Sequence, residues 1–321
     1  MALRSMLTQY WPPSPTFTEK DVPSQEGRVF IVTGGNQGVG YELIKMLYPT
    51  GAVIYMASRC KERAEQAIKD IVSADPSGSA RLRFLHLDLD DLNVVRSAAK
   101  TFSEQESRLD IIWNNAGVGG VKVGSKTKQG FEAHMGINVI GPFLFTQLLL
   151  PKLQAAAVAS PKNSVRIIWT SSCSIELLSP KGGYNLKDIE EGGTNNALVN
   201  YAVSKAANWI VADEAGKRYG KDGIISVVQN PGNLKTEIYN TQTKLTMFFV
   251  NRLLHPPKLG GYTELYAGLS PEITEKQQGG LIIPWGRVQA RNPREDIHEA
   301  LEKGKGTELW DWIDAQTKAH A

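Results

Sequence analysis

The sequence predicts an α/β fold in which a parallel sheet of about seven strands is covered by helices on both faces. Short, continuous apolar runs alternate with segments of helical periodicity from residue 28 to residue 229. Strands that are apolar throughout are buried on both faces, as in parallel sheets. A glycine-rich segment joins the first strand to the first helix. Together these observations predict a doubly wound sheet of the Rossmann type.

The individual elements follow from apolar patterning and from turn residues. The first strand, residues 28–32, is the run RVFIV, and a helix with Leu43, Ile44 and Leu47 at helical spacing follows it. Further strands are predicted at residues 52–57, 82–87, 109–113, 165–170, 224–229 and 280–283. Further helices are predicted at residues 60–74, 91–107, 128–158 and 198–219.

Both ends of the chain differ from this alternating region. Residues 1–26 are polar and contain several prolines, so we predict an extended N-terminal arm. Residues 291–321 are charged, carry Trp310 and Trp312, and are predicted to form a C-terminal tail. Either segment could close over a substrate or join two copies of the chain as a homodimer. We expect residues 27–290 to form one domain, since no change of composition divides them.

The composition is that of an ordinary soluble globular protein, with 41% hydrophobic and 21% charged residues. The net charge of +3 comes from interspersed residues of both signs, so the sequence gives no basic surface for nucleic acid. Two cysteines in 321 residues do not indicate a disulfide framework and suit a reducing compartment. The apolar runs are too short for a signal peptide or a bilayer span. We therefore expect a cytoplasmic protein with no integral membrane segment and no nucleic-acid partner.

The segment from Thr33 to Gly40 reads TGGNQGVG and joins the first predicted strand to the first helix. Glycines in such a turn let the backbone approach a pyrophosphate, which binds at the positive end of the helix. A tight turn without a ligand is the alternative, but this spacing is expected by chance only about 0.01 times in such a chain. We predict a dinucleotide site that includes Gly34, Asn36, Gln37, Gly38 and Gly40.

The end of the second predicted strand indicates which dinucleotide is bound. In folds of this type an acidic residue near this point binds the ribose 2′-hydroxyl of NAD. Here the strand ends in Ser58 and Arg59, and a guanidinium suits the 2′-phosphate of NADP. Arg59 could instead be an ordinary surface residue, and Glu62 could still reach a ribose. The sequence therefore favours NADP(H) over NAD(H).

Tyr201 and Lys205 stand four residues apart on a predicted helix and therefore share one face. A phenol has a pKa of about 10 and exchanges protons poorly at neutral pH, but an adjacent ammonium favours its ionised form. The pair could thus donate a proton in catalysis. Spacing alone does not establish this role, because about 0.7 such pairs are expected by accident, and Tyr41 with Lys45 forms a second.

These motifs occur together with the sequence NNAG at residues 114–117, after the fourth predicted strand. In this combination and order, across residues 27–290, the chain resembles the short-chain dehydrogenase/reductase superfamily. The segment 136–143, GINVIGPF, is similar to the retinol-dehydrogenase-like branch and to reductases of fungal secondary metabolism. The resemblance implies a Rossmann-fold oxidoreductase that transfers a hydride between NAD(P) and a carbonyl or hydroxyl group.

The resemblance also implies roles for individual residues. Tyr201 would donate the proton, Lys205 would bind the nicotinamide ribose, and Ser172 would hydrogen-bond the substrate oxygen. Asn138 would position Lys205 through water, which gives a catalytic group of four. The cofactor would also be contacted by residues at the ends of the third, fourth and sixth strands, namely Asp88, Leu89, Asn115, Gly117, Pro231, Gly232 and Thr236.

Several of these residues have structural alternatives. Asn138 could be a buried hydrogen-bonding asparagine, and Asp88 could be a turn residue at a strand end. Ser171 and Ser174 compete with Ser172 for the substrate contact.

Two segments are predicted to form substrate loops, residues 173–198 and 233–257. The first separates Ser172 from Tyr201 by a longer stretch than in a minimal member of the superfamily. The second contains the apolar stretch 245–254, which could line a pocket for a hydrophobic substrate or pack in the core or at an interface. A weak membrane-contact helix is a third interpretation of that stretch.

The leading functional hypothesis is the NADPH-dependent reduction of a ketone or aldehyde on a hydrophobic small molecule. The same residues could oxidise an alcohol or reduce a C=C bond. A non-catalytic nucleotide-sensing protein of the same fold is a third hypothesis, but such a protein does not need Ser172, Tyr201 and Lys205. The five histidines are scattered along the chain, so we predict no metal site.

Overall fold

The structure, a computed structural model, describes residues 2–235 and 254–320. Its strands are β1 (Val29–Thr33), β2 (Val53–Ser58), β3 (Arg81–His86), β4 (Ile111–Asn114), β5 (Val165–Thr170), β6 (Ile224–Gln229), β7 (Leu281–Ile283) and β8 (Arg287–Val288). These eight strands form a sheet in the order β3-β2-β1-β4-β5-β6-β7-β8. All neighbouring pairs are parallel except β7 and β8, which pair antiparallel.

The described helices, connected in places by short 3₁₀ turns, are α1 (Ala2–Tyr10), α2 (Gly38–Leu47), α3 (Lys61–Ala74), α4 (Leu92–Gln105), α5 (Ala133–Met135), α6 (Gly141–Ala159), α7 (Ser174–Leu178), α8 (Leu186–Glu190), α9 (Ala197–Tyr219), α10 (Pro257–Leu269), α11 (Glu295–Glu302) and α12 (Lys305–Thr317). A π turn, Gly136–Ile140, joins α5 to α6. Apolar residues of α2, α3 and α10 pack on one face of the sheet. Those of α4, α6, α9 and α12 pack on the other.

The predicted doubly wound α/β fold is confirmed, with one strand more than predicted. β1, β2, β4, β5 and β6 are buried along their whole length, which explains why each is mostly apolar. The additional strand, β8, has two residues and is partly exposed, so it carries no periodic signal. The strand order reverses between β1 and β4, and dinucleotides bind outside the carboxyl ends of the strands at such a reversal.

The N-terminal arm is helical where the sequence predicted an extended segment. Residues 2–10 contain neither glycine nor proline, and α1 ends at Tyr10, one residue before Trp11-Pro12. Because a residue that precedes proline avoids the helical conformation, the helix ends there. The prediction of an extended arm was therefore wrong for Ala2–Tyr10, since the prolines lie only in the second half of the segment.

The C-terminal segment contributes to the core. Ile297 and Leu301 of α11, and Leu309, Trp310 and Ile313 of α12, are buried in the apolar cluster under α9. The charged residues that dominate this part of the sequence lie on the outer sides of the two helices. The ends of the chain thus pack on the sheet domain that stands between them.

One described helical segment, Ala133–Ala159, is long and apolar enough to cross a membrane, but its apolar window is 78% buried inside the protein. A helix that is apolar on all sides is also what a core position requires. This segment packs between the sheet and its neighbouring helices, so it gives only weak evidence for membrane insertion.

Candidate active site

The glycine turn lies at the carboxyl end of β1 and packs tightly against the segment that follows β4. Gly34 and Gly38 have φ angles of +67° and +59°, in the left-handed region that favours glycine. A Cβ atom on Gly34 would lie 3.1 Å from the Cα atom of Ala116, and one on Gly40 would lie 2.7 Å from Asn115 Nδ2. The glycines therefore permit close packing of the turn on the segment after β4, and Asn36 and Gln37 lie in the same turn before the N-terminus of α2.

Asn115 holds this turn in place. Its Nδ2 atom donates to the carbonyl oxygen of Thr33 at 2.8 Å, and the amide of Ala116 donates to Thr33 Oγ1 at 2.9 Å. Gly117, two residues after Asn115, lies next to Asn138 and Lys205, which are two other predicted site residues. A Cβ atom on it would be 3.0 Å from Asn138 Oδ1 and 3.3 Å from Lys205 Nζ.

The end of β2 places a buried hydroxyl beside an exposed guanidinium. Ser58 is 6% exposed, and its Oγ atom has no hydrogen-bond partner, whereas Arg59 is exposed. Such an orphaned polar atom fits a site where a ligand oxygen binds. Glu62 instead accepts a hydrogen bond from Cys60 Sγ at 3.2 Å.

A surface cleft of about 260 Å³ lies between the glycine turn and α3. Its lining includes Asn36, Gln37 and Arg63. Arg63 supplies a second guanidinium near the predicted cofactor site that the sequence did not single out. Its position within a charged helical segment gives no signal, because the sequence does not reveal which side of α3 faces the turn.

The segment that follows β3 carries Asp88 and Leu89. The amide of Asp90 donates to Asp88 Oδ1 at 3.1 Å, so Asp88 stabilises the turn at the strand end. Leu89 is buried, and its carbonyl oxygen would lie 2.9 Å from a Cβ atom on Gly141. Asp88 and Leu89 each contact other residues of the protein at the end of β3.

Asn138 lies on the π turn and connects three elements. Its Oδ1 atom accepts from the amide of Val118 at 2.7 Å. Its Nδ2 atom donates to the carbonyl oxygen of Val118 and to Ser204 Oγ, both at 3.0 Å. The side chain therefore joins the segment after β4 to α9 beside Lys205. The sequence pattern predicted a continuous helix here and did not predict the π turn, a feature that is frequent at functional sites.

Tyr201 and Lys205 lie on the same face of α9, as their spacing predicted. Lys205 Nζ is 5.6 Å from the centre of the Tyr201 ring and donates to the carbonyl oxygen of Thr170 at 3.1 Å. Lys205 is 4% exposed, whereas Tyr201 is only partly buried. Burial lowers the pKa of Lys205 to about 8, and the charge of Glu264 opposes this shift.

The serines after β5 have different environments. Ser171 is buried, and its Oγ atom donates to the carbonyl oxygen of Lys205 at 2.8 Å. Ser172 is partly exposed and accepts from the amide of Ser174 at 3.2 Å. Ser174 Oγ is buried and has no hydrogen-bond partner. Ser171 therefore holds α9 in place, whereas Ser172 and Ser174 are both partly exposed.

A buried carboxylic acid behind Lys205 was missed by the sequence reasoning. Glu264 of α10 is fully buried, and its Oε1 atom accepts from Gln229 Nε2 at 2.7 Å and from Thr170 Oγ1 at 3.5 Å. Burial raises the pKa of Glu264 to about 8, while the Thr170 hydrogen bond and the Lys205 charge oppose the shift. Its Oε2 atom has no hydrogen-bond partner. Glu264 lies 59 positions after Lys205, so only the fold brings them together.

His134 and Glu132 form a second group that the sequence did not indicate. The His134 ring stands edge-on to the Tyr201 ring, with ring centres 5.9 Å apart. His134 Nδ1 lies 2.8 Å from Glu132 Oε1. Although burial raises the pKa of Glu132, hydrogen bonds from His134 and Met135 outweigh that effect and lower it. The ionised Glu132 therefore fixes the orientation of the ring that packs on Tyr201.

The segment after β6 begins beside β7. Gly232 has a φ angle of +96°, and a Cβ atom on it would lie 2.5 Å from Trp285 Cζ3. Pro231 precedes it at the carboxyl end of the sheet. Thr236 and all but the last residue of the stretch 245–254 lie outside the described residues. Within the described ranges, no group of three or more His, Cys, Asp or Glu side chains could hold a metal ion.

Comparison with known proteins identifies the family. A short-chain dehydrogenase/reductase of Pestalotiopsis fici is 49% identical over 324 residues, which cover 99% of this chain and 99% of that protein. The chain belongs to the short-chain dehydrogenase/reductase family. Another member, from Neocamarosporium betae, is 41% identical over 327 residues that cover 99% of this chain and 94% of that protein. The sequence profile of the short chain dehydrogenases matches residues 28–181.

Solved structures agree with this assignment. The crystal structure of an uncharacterised protein from Mycobacterium paratuberculosis has a TM-score of 0.69 and 26% identity, covering 95% of this chain and 98% of that one. The NADPH-bound carbonyl reductase from chicken fatty liver has a TM-score of 0.62 and 24% identity, covering 83% and 100%. The short-chain dehydrogenase/reductase fold and an NAD(P)-dependent oxidoreductase activity on small molecules are thus established for this chain.

Proposed function

We propose that this protein is a cytoplasmic NADPH-dependent reductase of a ketone or aldehyde group on a hydrophobic small molecule. The observation that carries the proposal is the placement of Tyr201 beside a buried Lys205, next to Gly117 and Asn138. This arrangement supports a role for Tyr201 as a proton donor and for Lys205 as a fixed cation beside the cofactor. The similarity to fungal members of the family supports a role in secondary metabolism.

The residues of the crevice fit an NAD(P) molecule. The glycine turn at the N-terminus of α2 would hold the pyrophosphate, and Lys205 would hold the nicotinamide ribose. Ser58 and Arg59, with Arg63 nearby, would hold the 2′-phosphate that distinguishes NADP from NAD. The bound nicotinamide would supply the hydride.

The protein's own side chains would position the substrate carbonyl group and donate a proton to its oxygen. Ser172 would donate a hydrogen bond to the carbonyl oxygen and hold it near Tyr201. Tyr201 would then donate its hydroxyl proton to that oxygen as negative charge develops on it. The Lys205 ammonium favours the ionised form of the tyrosine that is left behind. Leu177 and Leu178, on the helix that follows Ser172, are 50% and 39% exposed and support an apolar substrate.

The same residues run the reaction in reverse, so an NADP-dependent alcohol oxidation is the second candidate. It uses the same site because a catalyst accelerates both directions of one equilibrium. Which direction dominates depends on the redox state of the cofactor pool.

Replacing Tyr201 by phenylalanine tests the proposal. Tyr201→Phe removes the hydroxyl and retains the ring that packs on His134. We expect kcat with NADPH and a panel of ketones and aldehydes to fall by about 100-fold or more, because general acid catalysis contributes this much. The measurement is the loss of NADPH absorbance under anaerobic conditions.

Tyr41→Phe is a matched control, since Tyr41 and Lys45 have the same spacing on α2. Its kcat should stay within about twofold of the parent, as expected for a residue outside the reacting groups. If Tyr201→Phe turned over as fast as the parent, the assignment of the proton donor would be wrong.

A further inference from the structure

Glu264 is a buried acid that the proposed mechanism does not use. It lies on α10, which packs on the opposite face of the sheet from α9, the helix that carries Lys205. Trp113 Nε1 donates to the carbonyl oxygen of Glu264 at 2.9 Å, and a Cβ atom on Gly268 would lie 2.1 Å from the Trp113 ring, so this part of α10 is fixed on the sheet. Glu264 is 0% exposed, and acidic side chains are almost never buried to this extent unless they interact with a partner.

Thr170, the last residue of β5, lies between Glu264 and Lys205 and contacts both. Its carbonyl oxygen accepts from Lys205 Nζ at 3.1 Å and from Asn208 Nδ2 at 2.9 Å. Its Oγ1 atom lies 3.5 Å from Glu264 Oε1. Gln229 Nε2 donates to both of these side-chain oxygens, at 2.9 Å to Thr170 Oγ1 and at 2.7 Å to Glu264 Oε1. Thr170 and Gln229 thus connect the buried carboxyl group to the backbone oxygen that binds the ammonium.

Lys205 is the charged side chain that faces this carboxyl group. Among the residues that the structure describes, the Lys205 charge is the one that acts on Glu264, and the Glu264 charge is the one that acts on Lys205. The ring of Tyr201 lies 5.6 Å from Lys205 Nζ. The two tyrosines nearest to Glu264 on α10 have partners of their own, namely Glu272 for Tyr266 and Lys258 for Tyr262.

Burial shifts the two groups of this pair in opposite directions. It raises the pKa of Glu264 to about 8 and lowers the pKa of Lys205 to about 8, and the charge of each group opposes the shift of the other. Two groups that interact in this way titrate as a pair. Once Glu264 is ionised, its negative charge keeps the proton on Lys205 to a higher pH than burial alone would allow.

We propose that Glu264 is a positioning residue for the reduction, which acts through Thr170 to hold the Lys205 ammonium charged and in place beside Tyr201. The inference rests on the proposed function, in which this ammonium favours the ionised form of Tyr201. The proton that Glu264 gives up as the pH rises leaves a carboxylate, and that carboxylate retains the proton on Lys205. Because Glu264 is fully buried, it acts on Lys205 and leaves the contact with substrate to other residues.

Glu264→Gln tests this role, because the amide keeps the shape of the side chain and cannot ionise. The assay measures kcat with NADPH from pH 6 to pH 9.5, with acetophenone and benzaldehyde as carbonyl probes. We expect kcat of the parent to fall as Lys205 loses its proton, and the same fall to occur about one pH unit lower in Glu264→Gln. At pH 6.5, where Lys205 is protonated in both proteins, the two kcat values should agree within about threefold. A kcat that is lowered by the same factor at every pH would mean a purely structural role and would overturn the proposal.

Two further variants separate the charge from the loss of a buried side chain. Glu214→Gln removes another buried carboxylate of α9, which pairs with Arg218 at 2.8 Å, and should keep the pH profile of the parent. Thr170→Val removes Oγ1 and keeps the carbonyl oxygen that binds Lys205. It should move the fall in kcat in the same direction as Glu264→Gln, by about half a pH unit, because the Thr170 hydrogen bond favours the ionised form of Glu264. An unchanged profile in Thr170→Val would contradict the path through Thr170.

Binding of NADPH reports on the charge of Lys205 without turnover, since the cofactor is an anion and Lys205 would hold its nicotinamide ribose. Its dissociation constant, followed by NADPH fluorescence over the same pH range, should rise as Lys205 loses its proton. This rise should begin about one pH unit lower in Glu264→Gln, and it should be absent in Lys205→Met, which has no ammonium.

The positioning role and the proposed reductase activity fail in different ways. If the parent reduced neither carbonyl probe, the proposed activity on such compounds would fail, and a rise in the dissociation constant that is displaced in Glu264→Gln would still support the role of Glu264. Coincident binding profiles for the parent and Glu264→Gln contradict that role whether or not the probes are reduced.

Discussion

At the scale of the residue, two tyrosine–lysine pairs of the same spacing differ in what surrounds the lysine. Lys45 Nζ is 5.5 Å from the Tyr41 ring, and Lys205 Nζ is 5.6 Å from the Tyr201 ring. The Lys45 side chain is 43% exposed and pairs with Glu42, whereas Lys205 is buried and donates to the carbonyl oxygen of Thr170 in the sheet core. Burial and partners, and not local geometry, distinguish the candidate catalytic pair.

The pH dependence of stability should report on Glu264. The unfolded chain releases its proton near pH 4.5, but in the folded protein burial raises the pKa to about 8. Between these values the folded state binds more protons than the unfolded state, so the free energy of unfolding decreases as the pH rises. We expect Glu264→Gln, which cannot titrate, to lose a slope of about 1 kcal/mol per pH unit.

The measurement is urea unfolding of the protein without cofactor at pH 5.5, 6.0 and 6.5, which lie well below the pKa of Lys205 in the folded and unfolded states. Glu190→Gln, at an exposed position of α8, is the control and should unfold in parallel with the parent at every pH. Parallel profiles for the parent and Glu264→Gln would contradict the raised pKa.

Local sequence signals account for one part of this site and not for the rest. The positions of Tyr201 and Lys205 on one helical face follow from their spacing, and Gly34 and Gly40 follow from the turn that joins β1 to α2. Glu264 could not be predicted, because a buried acid gives no pattern and its partners come from β5, β6 and α9. The roles of Ser172 and Asn138 in catalysis stay predictions.

At the scale of the element, the junctions at the carboxyl ends of the strands carry the candidate cofactor site. Each junction has its own means of holding a tight shape, such as the left-handed glycines after β1 and the Asn115 hydrogen bond after β4. The junction of β2 and α3 differs in offering unpaired groups. It combines the orphaned hydroxyl of Ser58 with the exposed side chain of Arg59.

Arg59→Ala should distinguish the two cofactors. Loss of the guanidinium removes a charge-assisted hydrogen bond to a 2′-phosphate, so we expect KM for NADPH to rise by about tenfold or more and KM for NADH to stay within about twofold. Initial rates at saturating substrate measure both constants. Arg81→Ala, at the opposite end of the neighbouring strand, is the control. An equal loss for both cofactors would argue against binding of a 2′-phosphate by Arg59.

Elements with strong local patterns were predicted nearly to their ends, and elements shaped by tertiary contacts were not. β5 and β6 match their predicted residues because each is a mostly apolar segment followed by polar residues. α1 was missed because the prolines at positions 12, 13, 15 and 23 dominated the interpretation of residues 1–26, although Leu3, Met6, Leu7 and Tyr10 stand at helical spacing. The π turn at Gly136–Ile140 was missed because it lies inside an otherwise continuous apolar helical pattern.

At the scale of the whole molecule, the C-terminal segment holds the predicted substrate loop at residues 173–198. Arg294 donates to the carbonyl oxygen of Pro180 at 2.7 Å and to Ser179 Oγ at 2.6 Å. Asp296 Oδ2 accepts from the amide of Gly182 at 2.7 Å. The segment after β8 therefore fixes the shape of a loop that begins next to Ser172.

Trp310 anchors this C-terminal segment. It is 4% exposed, and its ring packs against Phe143 of α6 at 4.7 Å and Tyr219 of α9 at 5.8 Å between ring centres. We expect Trp310→Ala to lower the free energy of unfolding by about 3 to 5 kcal/mol, the cost of removing a buried tryptophan. Urea unfolding monitored by circular dichroism measures this change.

Trp11→Ala is the control at the other end of the chain, because Trp11 is 60% exposed. Its effect should be within about 0.5 kcal/mol, as for most surface substitutions. Similar losses in both variants would mean that the C-terminal helices add little to the stability of the sheet domain.

The contacts of α1 also determine the stage of protein synthesis at which this helix can take its place in the fold. Residues 2–10 leave the ribosome before the residues that hold them, namely Glu176, Asn230, His255, Arg287 and Gln289. Domains fold as units once their chain is available, and contacts between distant residues form late. This helix is therefore among the last elements to reach its place, and it cannot be fully held before Gln289 has been made.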